Sequence, residues 1–199
     1  IKTIEQVGQD VCEKVEACYN CSGNSVWRHG EEIHSSEWKI SEKAKYWLTL
    51  RLKESKFGCR TGNHIEERPG LVNFSIVGRN ATVGERQLYV GWDQEEKERM
   101  KISQAFNKDF PGLNAQVAGE TGIDIIPKGY DKSQVAAKVD GPCIFFGDKM
   151  KSGGNDYPLG RALRPRKDSA VIEVRDWKHT QQFLRAWKIK DVHELVGVV

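Results

Sequence analysis

Apolar residues at Ile4, Val7, Val11 and Val15 recur at spacings of three and four, the period of a helix with one apolar face. The "CSGNSVW" that follows reads as a turn leading into a short strand. Ile40, Ala44, Trp47, Leu48 and Leu52 form the face of a second helix, with Ser35 or Ser36 placed to cap it. "HIEERPGLVNFSIVGR" alternates on either side of Pro69-Gly70 and predicts a hairpin. "DQEEKERMKISQAFNKDF" predicts a further helix, with Asp93 as its cap and acids in its first turn. "NAQVAG" and "GIDIIP" read as strands and "DKSQVAAKV" as a helix. "PCIFFGD" is a short, continuously apolar run, the pattern of a strand buried on both faces. "SAVIEV" is a second such strand, and "HTQQFLRAWKIKDVHELVG" is helical.

The order of elements divides the chain. From about residue 30 to 130, helices accompany an antiparallel set of strands; beyond about 130, helix and buried strand alternate as in a parallel doubly wound sheet. The first helix has no parallel strand before it. The pattern is that of an α/β sheet domain interrupted by an α+β insertion, with its opening strand absent.

Composition narrows the partners. Thirty-one basic and 28 acidic residues leave a net charge of +3, too small an excess for a nucleic-acid-binding surface, so any basic site is local. No apolar run reaches bilayer length, and the N-terminal stretch is amphipathic rather than signal-like, so no membrane partner is expected. Cys12, Cys18, Cys21, Cys59 and Cys143 are odd in number and irregular in spacing, which points to free thiols in a reducing compartment. Cys18-x-x-Cys21 has no second pair to complete a zinc site, although His29 and His34 lie near it. The N-x-S/T sequons at Asn20, Asn73 and Asn80 carry no weight without a secretory signal.

Three segments hold side chains suited to phosphate chemistry. Asp148 stands at the exit of the apolar "CIFFG" strand, where open α/β sheets bind ligands. Gly153 and Gly154 allow a tight turn that brings Asn155 and Asp156 back toward it, and carboxylates are what a magnesium ion takes. Arg68, Arg79 and Arg86 surround the predicted hairpin with Asn73, and guanidinium forks suit a phosphate dianion. Asp124 sits inside an apolar alternation, where a carboxylate needs a partner, and Lys132 follows the next turn. Each segment alone has a plainer reading: an Asp turn, a charged hairpin, a surface lysine.

Taken together, "RPGLVNFSIVGR", "GIDIIPKGYDK" and "FFGDKMKSGGND", in this order, resemble the eukaryotic-type phosphomannomutases of the haloacid-dehalogenase-like superfamily, and "EQVGQDVCEKV" is similar to the family segment after its second core motif. The resemblance covers roughly residues 1 to 175. It implies a Rossmann-type core, residues 1–28 and 132–199, carrying an inserted α+β cap, residues 29–131. Arg68, Arg79 and Arg86, with Asn73 and Asp124, match substrate-binding positions; Gly122 stands where the family has a serine. Lys132 and Asp148 match catalytic positions, and Asp148 matches the magnesium carboxylate, supported by Asn155 and Asp156. "GRALRPRKD" lacks the Asp and Thr of a further cation loop. A hexose phosphate substrate, a cytoplasmic location and a homodimer paired through the cap complete what the resemblance implies.

The family opens on a strand ending in Asp-x-Asp-Gly-Thr, which supplies the nucleophile and the general acid/base. No Asp-x-Asp occurs in these 199 residues. The chain is therefore expected to be a fragment of a magnesium-dependent enzyme that interconverts hexose 6-phosphate and hexose 1-phosphate through a phosphoaspartate. The alternatives are a sugar-phosphate phosphatase of the same superfamily and a non-catalytic sugar-phosphate-binding relative. The nucleophile strand is central in such sheets, so a core without it is expected to be disturbed or to take a partner strand.

Overall fold

A computed structural model describes residues 2–187. The chain forms two compact units that divide between Tyr130 and Asp131, and residues 2–28 belong to the first.

The opening helical pattern is two short helices, α1 (Lys2–Val7) and α2 (Gln9–Lys14), separated at Gly8, whose φ of 92° is outside helical range. The break interrupts the apolar stripe: Val7, Val11 and Val15 are exposed and Cys12 is buried instead. Three strands follow where one was expected: β1 (Cys18–Asn20), β2 (Ser25–Arg28) and β3 (Glu31–Ser35), antiparallel in the order β1-β2-β3. The β2–β3 turn places His29 and Gly30 both at positive φ (48° and 84°), as a two-residue hairpin requires. Helix α3 (Glu42–Glu54) starts later than expected. Ser41 caps it, its hydroxyl accepting from Ala44 N at 3.3 Å, while Ser35 ends β3 and Ser36 accepts from Trp38 N.

The predicted hairpin is β4 (Ile65–Arg68) and β5 (Leu71–Ser75), joined at Pro69-Gly70. With β6 (Leu113–Ala118) and β7 (Gly122–Pro127) it makes an antiparallel sheet in the order β4-β5-β7-β6. Helices α4 (Val83–Glu96) and α5 (Glu98–Asp109) replace the single helix expected from Asp93, with Lys97 left-handed between them. Helix α4 is signalled by Thr82-x-x-Glu85, a capping box: Glu85 accepts from Thr82 N at 2.6 Å and Thr82 from Glu85 N at 3.3 Å. Asp93 still serves the start of α5, accepting from Arg99 N at 2.8 Å.

Alternation decides what each face of this sheet does. Val72, Phe74, Ala115, Ile123 and Ile125 join Ala44 and Leu48 of α3, Tyr89 of α4 and Phe106 of α5 in one buried cluster. Each large member contributes roughly 1.5–3 kcal/mol of burial. The intervening residues Glu66, Asn73, Asp124 and Gln116 are cross-strand partners in one row on the opposite face. The helices therefore fix the sheet from one side and leave a polar row on the other.

The second unit begins with a 3-10 turn, Lys132–Lys138, in place of the expected α-helix; Asp131 caps it by accepting from Ser133 N at 2.8 Å. Strand β8 (Cys143–Gly147) runs parallel to β9 (Ser169–Glu173), with α6 (Tyr157–Leu163) between them and α7 (Trp177–Ala186) after. Among the described residues β9 is the one strand paired with β8, and Cys143 to Phe146 are half-buried rather than buried on both faces. Phe146 packs against Phe183 and Trp187, ring centroids 6.1 and 5.8 Å away. Arg166 ties the 3-10 turn to β9, donating to the carbonyls of Ala136, Val139 and Gly141 and pairing with Asp168. The expected helix beyond Trp187 lies outside the described residues. No helix among them is long and apolar enough to cross a membrane.

Candidate functional site

In the first unit, the hairpin brings Arg68 and Arg79 onto one carboxylate. Arg68 Nη2 lies 2.6 Å and Arg79 Nε 2.8 Å from the same Glu66 oxygen, the second as a close ion pair whose N–H points off the line. Glu66 and Arg68 alternate on β4 and so share a face. That spacing is the signal by which Glu66, unnoticed as a site residue, is legible in sequence. The remaining guanidinium donors of Arg68 and Arg79 take no protein acceptor among the described residues.

Arg86 is used differently. Its Nε donates to Ala81 O (3.0 Å), its Nη2 to Arg79 O (2.8 Å) and its Nη1 to Thr121 Oγ1 (3.4 Å). It braces the turn that carries Arg79. Asn73 Nδ2 donates to Asp124 Oδ1 at 2.6 Å, which gives the half-buried Asp124 a partner and fixes the orientation of the amide. Asn73 Oδ1 is then buried without a protein partner. A cavity of about 230 Å³ collects Arg68, Arg79, Arg86, Asn73 and Asp124. A second, of about 650 Å³, shares Arg68 and Arg79 as part of its wall.

Gly122 forms the floor of the smaller cavity beside Asn73. A Cβ there would meet Asn73 Nδ2 at 2.6 Å. Gly122→Ser, although it restores the residue the family resemblance calls for, is expected to push Asn73 off Asp124 and weaken binding of a phosphorylated ligand about tenfold or less. Titration calorimetry of the variant checks this; a gain in affinity would show that the serine is accommodated.

In the second unit, Asp148 follows Gly147 at the carboxyl end of β8 and is exposed. The loop returns through Gly153 (φ 88°) and Gly154, whose missing Cβ leaves room for Lys149 O. It delivers Asp156, buried, between three donors. Asp156 Oδ1 accepts from Lys132 Nζ at 2.5 Å, and Oδ2 accepts from the backbone N–H groups of Asp148 and Lys149, both at 3.1 Å. Burial alone would raise the Asp156 carboxyl, but Lys132 and the loop amides hold it below the usual range. Lys132, Asp156 and the backbone of Asp148 are thus one connected group, whereas Asn155 is exposed.

The carboxylate set fits a hard cation only in part. Asp148 offers one exposed carboxylate at the strand end, and one carboxylate with waters and a phosphate is an ordinary magnesium environment. Asp156 has both oxygens engaged. Among the described residues no group of three or more His, Cys, Asp or Glu side chains gathers to hold a metal, and all five cysteines are free thiols.

Comparison with known proteins bears on the family of the chain. The chain is 32% identical to a Saccharomyces cerevisiae phosphomannomutase over 170 residues, 79% of this chain and 67% of that protein. It is 30% identical to one from Dendrobium officinale, over 82% of this chain and 69% of the other. In structure it matches an N-terminal truncated IMP-nucleotidase from Plasmodium falciparum over 93% of this chain and 53% of that one, with a TM-score of 0.52 and 13% identity. That likeness is one of fold alone, a mixed α/β arrangement of helices and sheets. The chain spans about half of that structure and about two thirds of the relatives. The model of the eukaryotic phosphomannomutase family matches residues 1–182, and the chain belongs to that family.

Proposed function

We propose that these residues bind a hexose phosphate, mannose 1-phosphate or mannose 6-phosphate, as part of a phosphomannomutase that moves a phosphoryl group between the 1- and 6-oxygens of the sugar. The observation that carries the reading is the convergence of Arg68, Arg79, Arg86, Asn73 and Asp124 on one cavity. Arg68 and Arg79 supply forked donors to a phosphate. The Asn73–Asp124 pair supplies an acceptor to a protonated phosphate oxygen or a sugar hydroxyl.

In this reading residues 29–131 are the cap, and residues 1–28 with 132–199 the core of a cytoplasmic enzyme that pairs through its caps. Lys132, held by Asp156, offers charge neutralisation where a phosphoryl group transfers. Asp148 would hold magnesium, with Asp156 and Asn155 behind it as supports. When bound, the ion offsets developing negative charge on phosphoryl oxygens. The 199 residues contain no Asp-x-Asp, so the part proposed for them is binding, orientation and electrostatics.

Calorimetry with mannose 1-phosphate against unphosphorylated mannose tests the reading. Binding that requires the phosphate is expected; equal affinity for both sugars, or none for either, would sink it. Turnover of mannose 1-phosphate by these 199 residues, with magnesium and a hexose bisphosphate, would overturn the restriction to binding.

A further inference from the structure

The two cavities of the first unit share Arg68 and Arg79. The smaller, about 230 Å³, carries Arg68, Arg79 and Arg86 on its wall together with Asp124 and Glu120. The larger, about 650 Å³, carries Trp27, Ser25 and Glu32 on its wall. These three come from one strand pair. Ser25, itself buried, and Trp27, half-buried, are two residues apart on β2, and Trp27 is the cross-strand partner of Glu32 on β3. They are also linked: Trp27 Nε1 donates to Ser25 Oγ at 3.1 Å, and the Ser25 hydroxyl donates to Glu32 Oε1 at 2.7 Å. The second Glu32 oxygen takes no protein hydrogen bond among the described residues.

This gives the paired cavities a direction. Arg68 and Arg79 are common to both cavities and engage Glu66, Arg86 lines the smaller one alone, and the Glu32 carboxylate lines the larger one alone. A phosphate is drawn to the arginines and repelled from Glu32. A sugar ring has what the larger cavity lacks: hydroxyl donors for a carboxylate and C–H faces for an aromatic ring. A mostly apolar wall with a few oriented polar groups is the usual form of a small-ligand site. Resting on the hexose-phosphate reading above, we infer that the sugar body lies in the larger cavity, with Trp27 as its platform and Glu32 as its hydroxyl acceptor, and that these two residues set sugar selectivity.

The inference separates affinity for the sugar from affinity for the phosphate. Wild-type chain, Trp27→Ala, Trp27→Tyr and Glu32→Gln are titrated with mannose 1-phosphate and, separately, with inorganic phosphate. Trp27→Ala and Glu32→Gln are expected to weaken mannose 1-phosphate about tenfold each and leave inorganic phosphate unchanged, with Trp27→Tyr recovering much of the loss. Equal loss for both ligands, or no loss for either, overturns the inference and leaves the hexose-phosphate reading standing. Failure of the wild-type chain to prefer mannose 1-phosphate over mannose defeats that reading itself. Glu32 is exposed, so Glu32→Gln decides the matter should Trp27→Ala fold poorly.

Discussion

Arg79→Ala is expected to lower affinity for mannose 1-phosphate by about 10- to 100-fold while leaving the melting temperature close to wild type. Charge-assisted hydrogen bonds are worth roughly 1.5–3 kcal/mol, and each 1.4 kcal/mol is about tenfold in affinity. The terminal guanidinium nitrogens of Arg79 meet no protein acceptor among the described residues, so their loss falls on the ligand. The fold loses little, because Glu66 keeps Arg68 at 2.6 Å and the backbone of Arg79 still accepts from Arg86. Arg86→Ala is the contrasting variant. It frees Ala81 O, Arg79 O and Thr121 Oγ1 at once, so it is expected to lower both affinity and melting temperature. Calorimetry beside thermal unfolding distinguishes the two. An Arg79→Ala chain that binds as wild type removes Arg79 from the site; one that unfolds early makes it a structural residue.

The contrast between Arg79 and Arg86 marks where sequence stops being sufficient. Three arginines around a hairpin are visible in the chain, and the hairpin itself follows from alternation about Pro69-Gly70. Which arginine faces a ligand depends on which carbonyls lie within reach of each fork, and that is decided by the close of the turn at residues 79–86. Asp124 was legible as a carboxylate needing a partner; its partner, Asn73, lies 51 residues away and is set by strand register. Glu66 could be found from its spacing to Arg68 once the strand is granted.

Helix boundaries failed for a local reason. Gly8 and Lys97 each leave helical conformation inside a periodic pattern, and apolar periodicity does not report a single residue that turns away. The expected burial of β8 on both faces failed for a non-local one. A continuous apolar run predicts what a strand would bury between neighbours, and among the described residues β8 has β9 alone.

Asp156→Ala is the variant expected to cost the second unit most, about 2–4 kcal/mol. Asp156 is 6% exposed and its carboxylate answers three donors. Its removal leaves Lys132 without its counter-charge and two loop amides without acceptors. Asp156→Asn is no milder, because an amide that accepts from the loop turns its NH₂ toward the Lys132 ammonium. The pH dependence carries the sign of the effect. The folded carboxyl is held below its ordinary value by Lys132 and the loop amides, against the opposing pull of burial. Its contribution is therefore fully present above the unfolded value, near pH 4, and is lost as pH falls through the lower folded value. Thermal unfolding of wild type and Asp156→Ala between neutral and acid pH should show a gap that is constant above about pH 5 and narrows below it. A gap that stays constant into strong acid would mean that packing, not charge, fixes the loop. The same loop carries Asp148, so a chain that loses this gap also loses the strand-end geometry on which its carboxylate depends.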